Sequence, residues 1–128
     1  METPEKTRYT DEELQEFRTL ILEKIQQAQA SYEQLTAALE ADESNPAYKV
    51  MEEGATTLNK EQASQRAQRQ MEFINKLKAA LLRIDNGTYG ICRITGKLIP
   101  KGRLLAVPHA TTSIEGKEIE QKRRLRPS

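Results

Sequence analysis

Two series of apolar residues, spaced by threes and fours, constrain this chain more than any other feature. From Leu14 the first continues through Phe17, Ile21, Ile25, Ala28, Tyr32, Leu35 and Leu39, and residues 10–41 contain neither glycine nor proline. That spacing lays one stripe along an α-helix. A helix of about 30 residues is about 45 Å long. Thr10-Asp11-Glu12-Glu13 opens it as a capping box, the threonine hydroxyl accepting the Glu13 amide while the glutamate reaches back. A second series, Ala63, Ala67, Met71, Ile74, Leu77, Leu81 and Ile84, stops at Asp85-Asn86-Gly87, a helix-ending sequence. Two such helices joined by a short polar segment are predicted to fold back as a long antiparallel coiled-coil hairpin. Small Ala28, Ala63 and Ala67 let the backbones approach. A bundle or a coiled-coil dimer would use the same stripes, so self-association stays open beside the expected monomer.

Charge divides the chain. Residues 1–54 hold 5 Lys/Arg against 13 Asp/Glu, and residues 55–128 hold 15 against 6. Complementary helices attract each other in this way, and an acidic working end with a basic docking end has the same signature. The connection, residues 42–58, carries Asp42, Glu43, Glu52 and Glu53; Asn45-Pro46 can start a short helical turn and Gly54 can end or kink it. Such a run of acids is ordinarily solvated surface.

After Gly87 the periodicity changes. Ile91-Cys92-Arg93, Lys97-Leu98-Ile99 and Leu104-Leu105-Ala106-Val107 are short apolar runs between turn residues, which read as a compact knuckle of turns and short extended segments. Residues 114–124 then read as a final helix, with Lys122, Arg123 and Arg124 near its end. Cysteine at Thr95, Ser113 and Gly116 would turn the knuckle into C-x2-C-x17-C-x2-C, a tetrahedral zinc spacing. Only Cys92 remains of that set, and His109 is the sole histidine. Hydroxyls stay protonated at neutral pH and are poor zinc ligands, so the zinc is expected to be lost and no cofactor to be tightly bound. Thr95–Ser113 hydrogen bonds and packing of Ile91, Ile94, Leu98, Ile99, Leu104 and Ile114 are the expected substitutes. Cys92 itself reads as a small buried hydrophobe, with Arg93 a neighbour able to lower its pKa.

The knuckle resembles the zinc-finger domain of the DksA/TraR family of RNA polymerase-binding regulators. Tyr89-Gly90-x-Cys92, Gly96, Arg103-Leu104 and Pro108 fall where that family places Phe/Tyr-Gly-x-Cys, Gly, Arg-Leu and Pro. The resemblance extends over residues 10–120. It implies a mostly α fold in which a coiled-coil finger enters the secondary channel of bacterial RNA polymerase and modulates initiation without enzymatic activity. The family's tip carries D-x-x-D-x-A. Counting back from Cys92 puts Glu52 at the second Asp and Gly54 at the Ala; a shift of one sets Glu53-Gly54-Ala55 against Asp-x-Ala. Lys49 or Val50 stands where the first Asp is expected. The resemblance also implies docking through Arg93, Lys122, Arg123 and Arg124. As for some relatives, an alarmone nucleotide can take part in the complex.

Two other functions fit the same residues. Glu52 and Glu53 can mimic the paired acids of Gre-type transcript-cleavage factors, and the hairpin can serve as an adaptor that has lost the polymerase site. The expected organisation is a flexible 1–9, a coiled coil over 10–86 with its tip at 42–58, a degenerate finger at 87–117 and a basic helix and tail at 118–128. No membrane-length apolar run and no leader pattern appear, and one cysteine allows no internal disulfide; the cytoplasm is the expected compartment. No base-reading motif appears, so sequence-specific DNA binding is not expected.

Overall fold

A computed structural model describes residues 7–44 and 53–125, with side chains over 7–39 and 60–125. Four helices are present among them: α1 (Asp11–Ser44), α2 (Glu53–Asn86), α3 (Lys101–Ala106) and α4 (Ile114–Leu125). There is no strand among the described residues, only an isolated antiparallel bridge between Ile91 and Leu98. The architecture is mostly α, a helical hairpin with a finger-like base. It divides into two compact units. Residues 23–76 form the helical hairpin unit, and residues 7–22 with 77–125 form the base.

α1 starts as its sequence requires. The Glu13 amide donates to Thr10 Oγ1 at 3.2 Å, and the Thr10 amide donates to Glu13 Oε1 at 3.1 Å, which completes the capping box. Tyr9, just before the cap, and Leu14 are both buried, the positions of a hydrophobic staple. α2 ends in a Schellman motif. Gly87 (φ +75°) donates to the Ile84 carbonyl at 3.1 Å and Thr88 to the Arg83 carbonyl at 2.9 Å.

In the hairpin unit the buried stripe is Ile25, Ala28, Ala67 and Ile74. Tyr32, Leu35 and Leu39 continue it half-buried. The second seam departs from its expected course, because Met71 is 37% exposed. In the base Leu81 is half-buried, and Ala80, outside the predicted series, is fully enclosed. Between Leu77 and Ile84, positions 80 and 81 straddle a stripe of period 3.6, and the smaller side chain is the one taken inside.

The base is built on aromatic contacts. Phe17 meets Tyr9 edge-on, with ring centroids 5.2 Å apart, and meets Tyr89 tilted at 5.3 Å. Tyr89 is buried and its hydroxyl donates to the Pro108 carbonyl at 2.8 Å, while the Tyr9 hydroxyl donates to the Ile99 carbonyl. Burying each ring contributes about 2 kcal/mol, and an aromatic pair adds about 1 kcal/mol. Burial, the largest cause, and the charge of Glu13 both push the Tyr9 hydroxyl pKa up, so it stays a donor.

Two expectations about the base are corrected. Ile114, expected to pack in the knuckle, is 62% exposed. Leu104-Leu105-Ala106 is helical, not extended. The Pro100 carbonyl accepts from the Arg103 and Leu104 amides at 3.1 and 3.2 Å and opens α3. Four consecutive apolar residues carry no period that tells helix from strand. In α3 only Leu104 is buried, and Leu105 is 52% exposed.

Gly90 tests this packing. It sits at φ +81°, and a Cβ there would lie 2.5 Å from Tyr9 Cδ2. Gly96, at φ +71°, faces open space. Gly90→Ala is expected to destabilise the base by about 3 kcal/mol, and Gly96→Ala by about 1 kcal/mol, the backbone cost alone. Chemical denaturation followed by the near-UV tyrosine signal checks the difference.

Candidate functional site

The four positions predicted from the zinc spacing come together in the base. Cys92 is buried, on the turn set by the Gly96 amide donating to the Cys92 carbonyl at 2.9 Å. Its own amide donates to the Lys97 carbonyl at 2.8 Å. The Thr95 amide donates to Cys92 Sγ at 3.4 Å, and the Ser113 hydroxyl donates to the same sulfur at 3.6 Å. Ser113 also caps α4, its Oγ accepting the Gly116 amide at 3.0 Å. Thr95 Oγ1 accepts the Lys97 amide at 3.2 Å. The expected Thr95–Ser113 contact is therefore made through the sulfur between them.

This donor set does not fit a zinc ion. One thiol, two hydroxyls and a glycine stand at the four positions, and structural zinc needs four thiolates or imidazoles. Gly116 lies so close that a Cβ on it would be 2.5 Å from Cys92 Sγ and 3.3 Å from Ser113 Oγ. Among the described residues, no three of His, Cys, Asp and Glu are grouped to hold a metal. His109 is half-buried, and its carbonyl accepts from Arg83 Nη2 at 3.3 Å.

Burial raises the Cys92 pKa, and hydrogen bonds from Thr95 and Ser113 outweigh it, bringing the thiol down to about 6. From the sequence, Arg93 is the neighbour able to lower it. The hydrogen bonds to the sulfur are what bring it down.

Arg93 reaches the other way. Its Nη2 donates to both Glu120 carboxylate oxygens at 2.7 Å, and its Nε to Thr111 Oγ1 at 3.4 Å. Arg124 joins the same carboxylate at 3.1 Å. The hydrogen bond from Arg93 is the main cause that holds the Glu120 carboxyl below its usual range. Glu120 therefore ties the segment beside Cys92 to α4, a link the sequence alone did not single out. Its spacing of four from Arg124 was the available signal. Lys122 and Arg123 are exposed. Of the predicted tip, Glu52 lies outside the described residues. Glu53, Gly54 and Ala55 belong to the first turn of α2, and their side chains lie outside the described set.

Residues 87–122 match the prokaryotic dksA/traR C4-type zinc finger. The structure of transcription factor DksA2 from Pseudomonas aeruginosa superposes with a TM-score of 0.81 at 30% identity, covering 88% of this chain and 86% of that one. This chain belongs to the DksA/TraR family. The RNA polymerase-binding transcription factor DksA of Caulobacter vibrioides is 44% identical over 55 residues, 43% of this chain and 39% of that protein. The uncharacterized protein YteA of Bacillus subtilis is 50% identical over 44 residues, 34% of this chain and 18% of YteA. The matched stretch thus spans well under half the length of these curated relatives. Against the C4 description of its family, this DksA/TraR member keeps the knuckle and one of the four sulfurs.

The lowered thiol pKa has a pH consequence. A folded pKa of about 6, below the unfolded thiol value, means that the native state binds fewer protons between the two. Stability from this site is full above the unfolded pKa and is lost as pH falls through about 6. Thiolate absorbance near 240 nm is expected to titrate with its midpoint near 6. Unfolding free energy is expected to rise from pH 6 to 9 in the wild type and to lose that slope in Cys92→Ala. Gly116→Ala, which sets a methyl against the buried sulfur, is expected to cost about 2 kcal/mol by denaturant unfolding.

Proposed function

We propose that this chain is a transcription regulator that binds bacterial RNA polymerase through the secondary channel and modulates initiation. The observation that carries the reading is the 0.81 superposition on DksA2, which extends over 88% of the chain and so over both units, not the finger segment alone. The Caulobacter relative, named for polymerase binding, matches at 44% identity and adds the partner. The protein acts as a binding factor rather than an enzyme. Among the described residues no helix is long and apolar enough to cross a membrane, in keeping with a regulator that works in the cytoplasm.

In this reading Glu52 and Glu53, with Gly54 and Ala55, act near the polymerase active centre. Catalysis there depends on carboxylate-held metal ions, which an added carboxylate perturbs. Arg93, Lys122, Arg123 and Arg124 belong to the docking end, and an alarmone nucleotide can join the complex. The base works without zinc: the bonds to Cys92 Sγ, the Glu120 ion pairs and the close approach of Gly116 close the knuckle that a metal closes in a C4 finger.

Two measurements test this. Glu52→Lys/Glu53→Lys is expected to abolish the effect of the protein on initiation by polymerase from its own source, whereas an adaptor would tolerate the change. Protein purified without added metal is expected to hold well under one zinc per chain and to keep its melting temperature in a chelator. Stoichiometric zinc, lost together with the fold on chelation, would overturn the metal-free base.

A further inference from the structure

The base carries a second surface, bordered on one side by Ser113, which also bonds the buried sulfur. α3, the turn before it and the start of α4 flank a groove of about 540 Å³. Its lining is mainly apolar, with Leu98 and Val107 half-buried and Ile114 at the rim, 62% exposed. Ile114 is the first residue of α4, a position where a polar or acidic residue favours the helix and a solvated isoleucine contributes nothing to folding. An apolar rim of this kind is a mark of protein contact.

The polar groups beside it define what fits. Lys97 and Arg103 line the groove, with Glu115 the one acid. Arg103 Nε donates to the Thr112 carbonyl at 2.7 Å, which fixes one edge of the guanidinium. Its two terminal nitrogens stay available for a carboxylate, and among the described residues no carboxylate forms an ion pair with Arg103. A guanidinium already oriented loses little freedom on binding. The groove thus combines an apolar slot with a positive flank. The apolar slot suits a protein segment better than nucleic acid, which would offer phosphates to the cations and nothing to Ile114.

We infer that this groove docks an acidic-apolar segment of the polymerase, an apolar side chain entering beside Ile114 while a neighbouring Asp or Glu meets Arg103 and Lys97. The inference rests on the polymerase-binding reading above and adds to its docking end, on the same base, a particular groove and the chemistry of the segment that fills it.

The test uses the full chain and core polymerase from its own source. Lys97→Glu/Ile114→Asp changes two solvent-facing side chains, and its near-UV signal and melting temperature are compared with the wild type. Binding by the double variant is expected to weaken about ten-fold. A photo-crosslinker at position 114 is expected to label a polymerase peptide with an Asp or Glu within a few residues. Equal binding by variant and wild type overturns the groove and leaves the polymerase reading intact. A crosslink at a peptide without acids overturns the proposed pairing, even if the variant misfolds. No binding by the wild type overturns both.

Discussion

A ring laid against a glycine organises the base. Tyr9 approaches the Gly90 backbone so closely that any β-carbon would overlap it, and the same ring packs on Phe17, which packs on Tyr89. One aromatic series thereby joins the segment before α1, the first turns of α1 and the turn after α2. The hydroxyl groups at its two ends reach the Ile99 and Pro108 carbonyls and position both halves of the knuckle. Non-directional burial supplies the energy, while the two hydrogen bonds and the positive φ of Gly90 select one arrangement.

The polar interior of the knuckle depends on that frame. A zinc ion would hold four ligands by coordination. Here a single sulfur accepts two hydrogen bonds, the serine that supplies one of them also caps α4, and a glycine closes the remaining space. Each bond is worth about 1 kcal/mol, far less than a structural zinc site. Much of the holding must then come from packing around Tyr89, Ile99, Leu104 and Pro108, all fully buried. The Arg93–Glu120–Arg124 ion pairs lie on the surface and add little by themselves. Their contribution is geometric, fixing α4 against the turn that carries Cys92.

The long helices were legible because their signals are local. The capping box, the glycine after Asn86 and the three-and-four spacing of the first series each depend on neighbours in sequence, and each appears as expected. Convergence of Cys92, Thr95, Ser113 and Gly116 was legible from spacing and family resemblance together. What escaped depends on distant partners. Tyr9 stands at the staple position of α1, yet nothing local says that its hydroxyl meets residue 99. Sequence offers only Arg93 beside Cys92 as a group able to lower its pKa, whereas the hydrogen-bond donors that do so are three and twenty-one residues away. α3 was missed because an unbroken apolar run has no period. Ala80 was missed because size, not hydrophobicity, decided which of two flanking residues turned inward.

The base is assembled from both sides of the hairpin, residues 7–22 with 77–125. During synthesis, Tyr9 and Phe17 therefore emerge with their apolar surfaces uncovered. Tyr89 follows about seventy residues after Phe17, a delay of about 4–14 s at the usual pace of translation. The hairpin unit lies wholly within that interval, and its contacts join neighbouring helices, so it can form first and bring the separated segments together. In the nascent chain the local contacts of the hairpin unit can therefore precede the aromatic contacts that close the base.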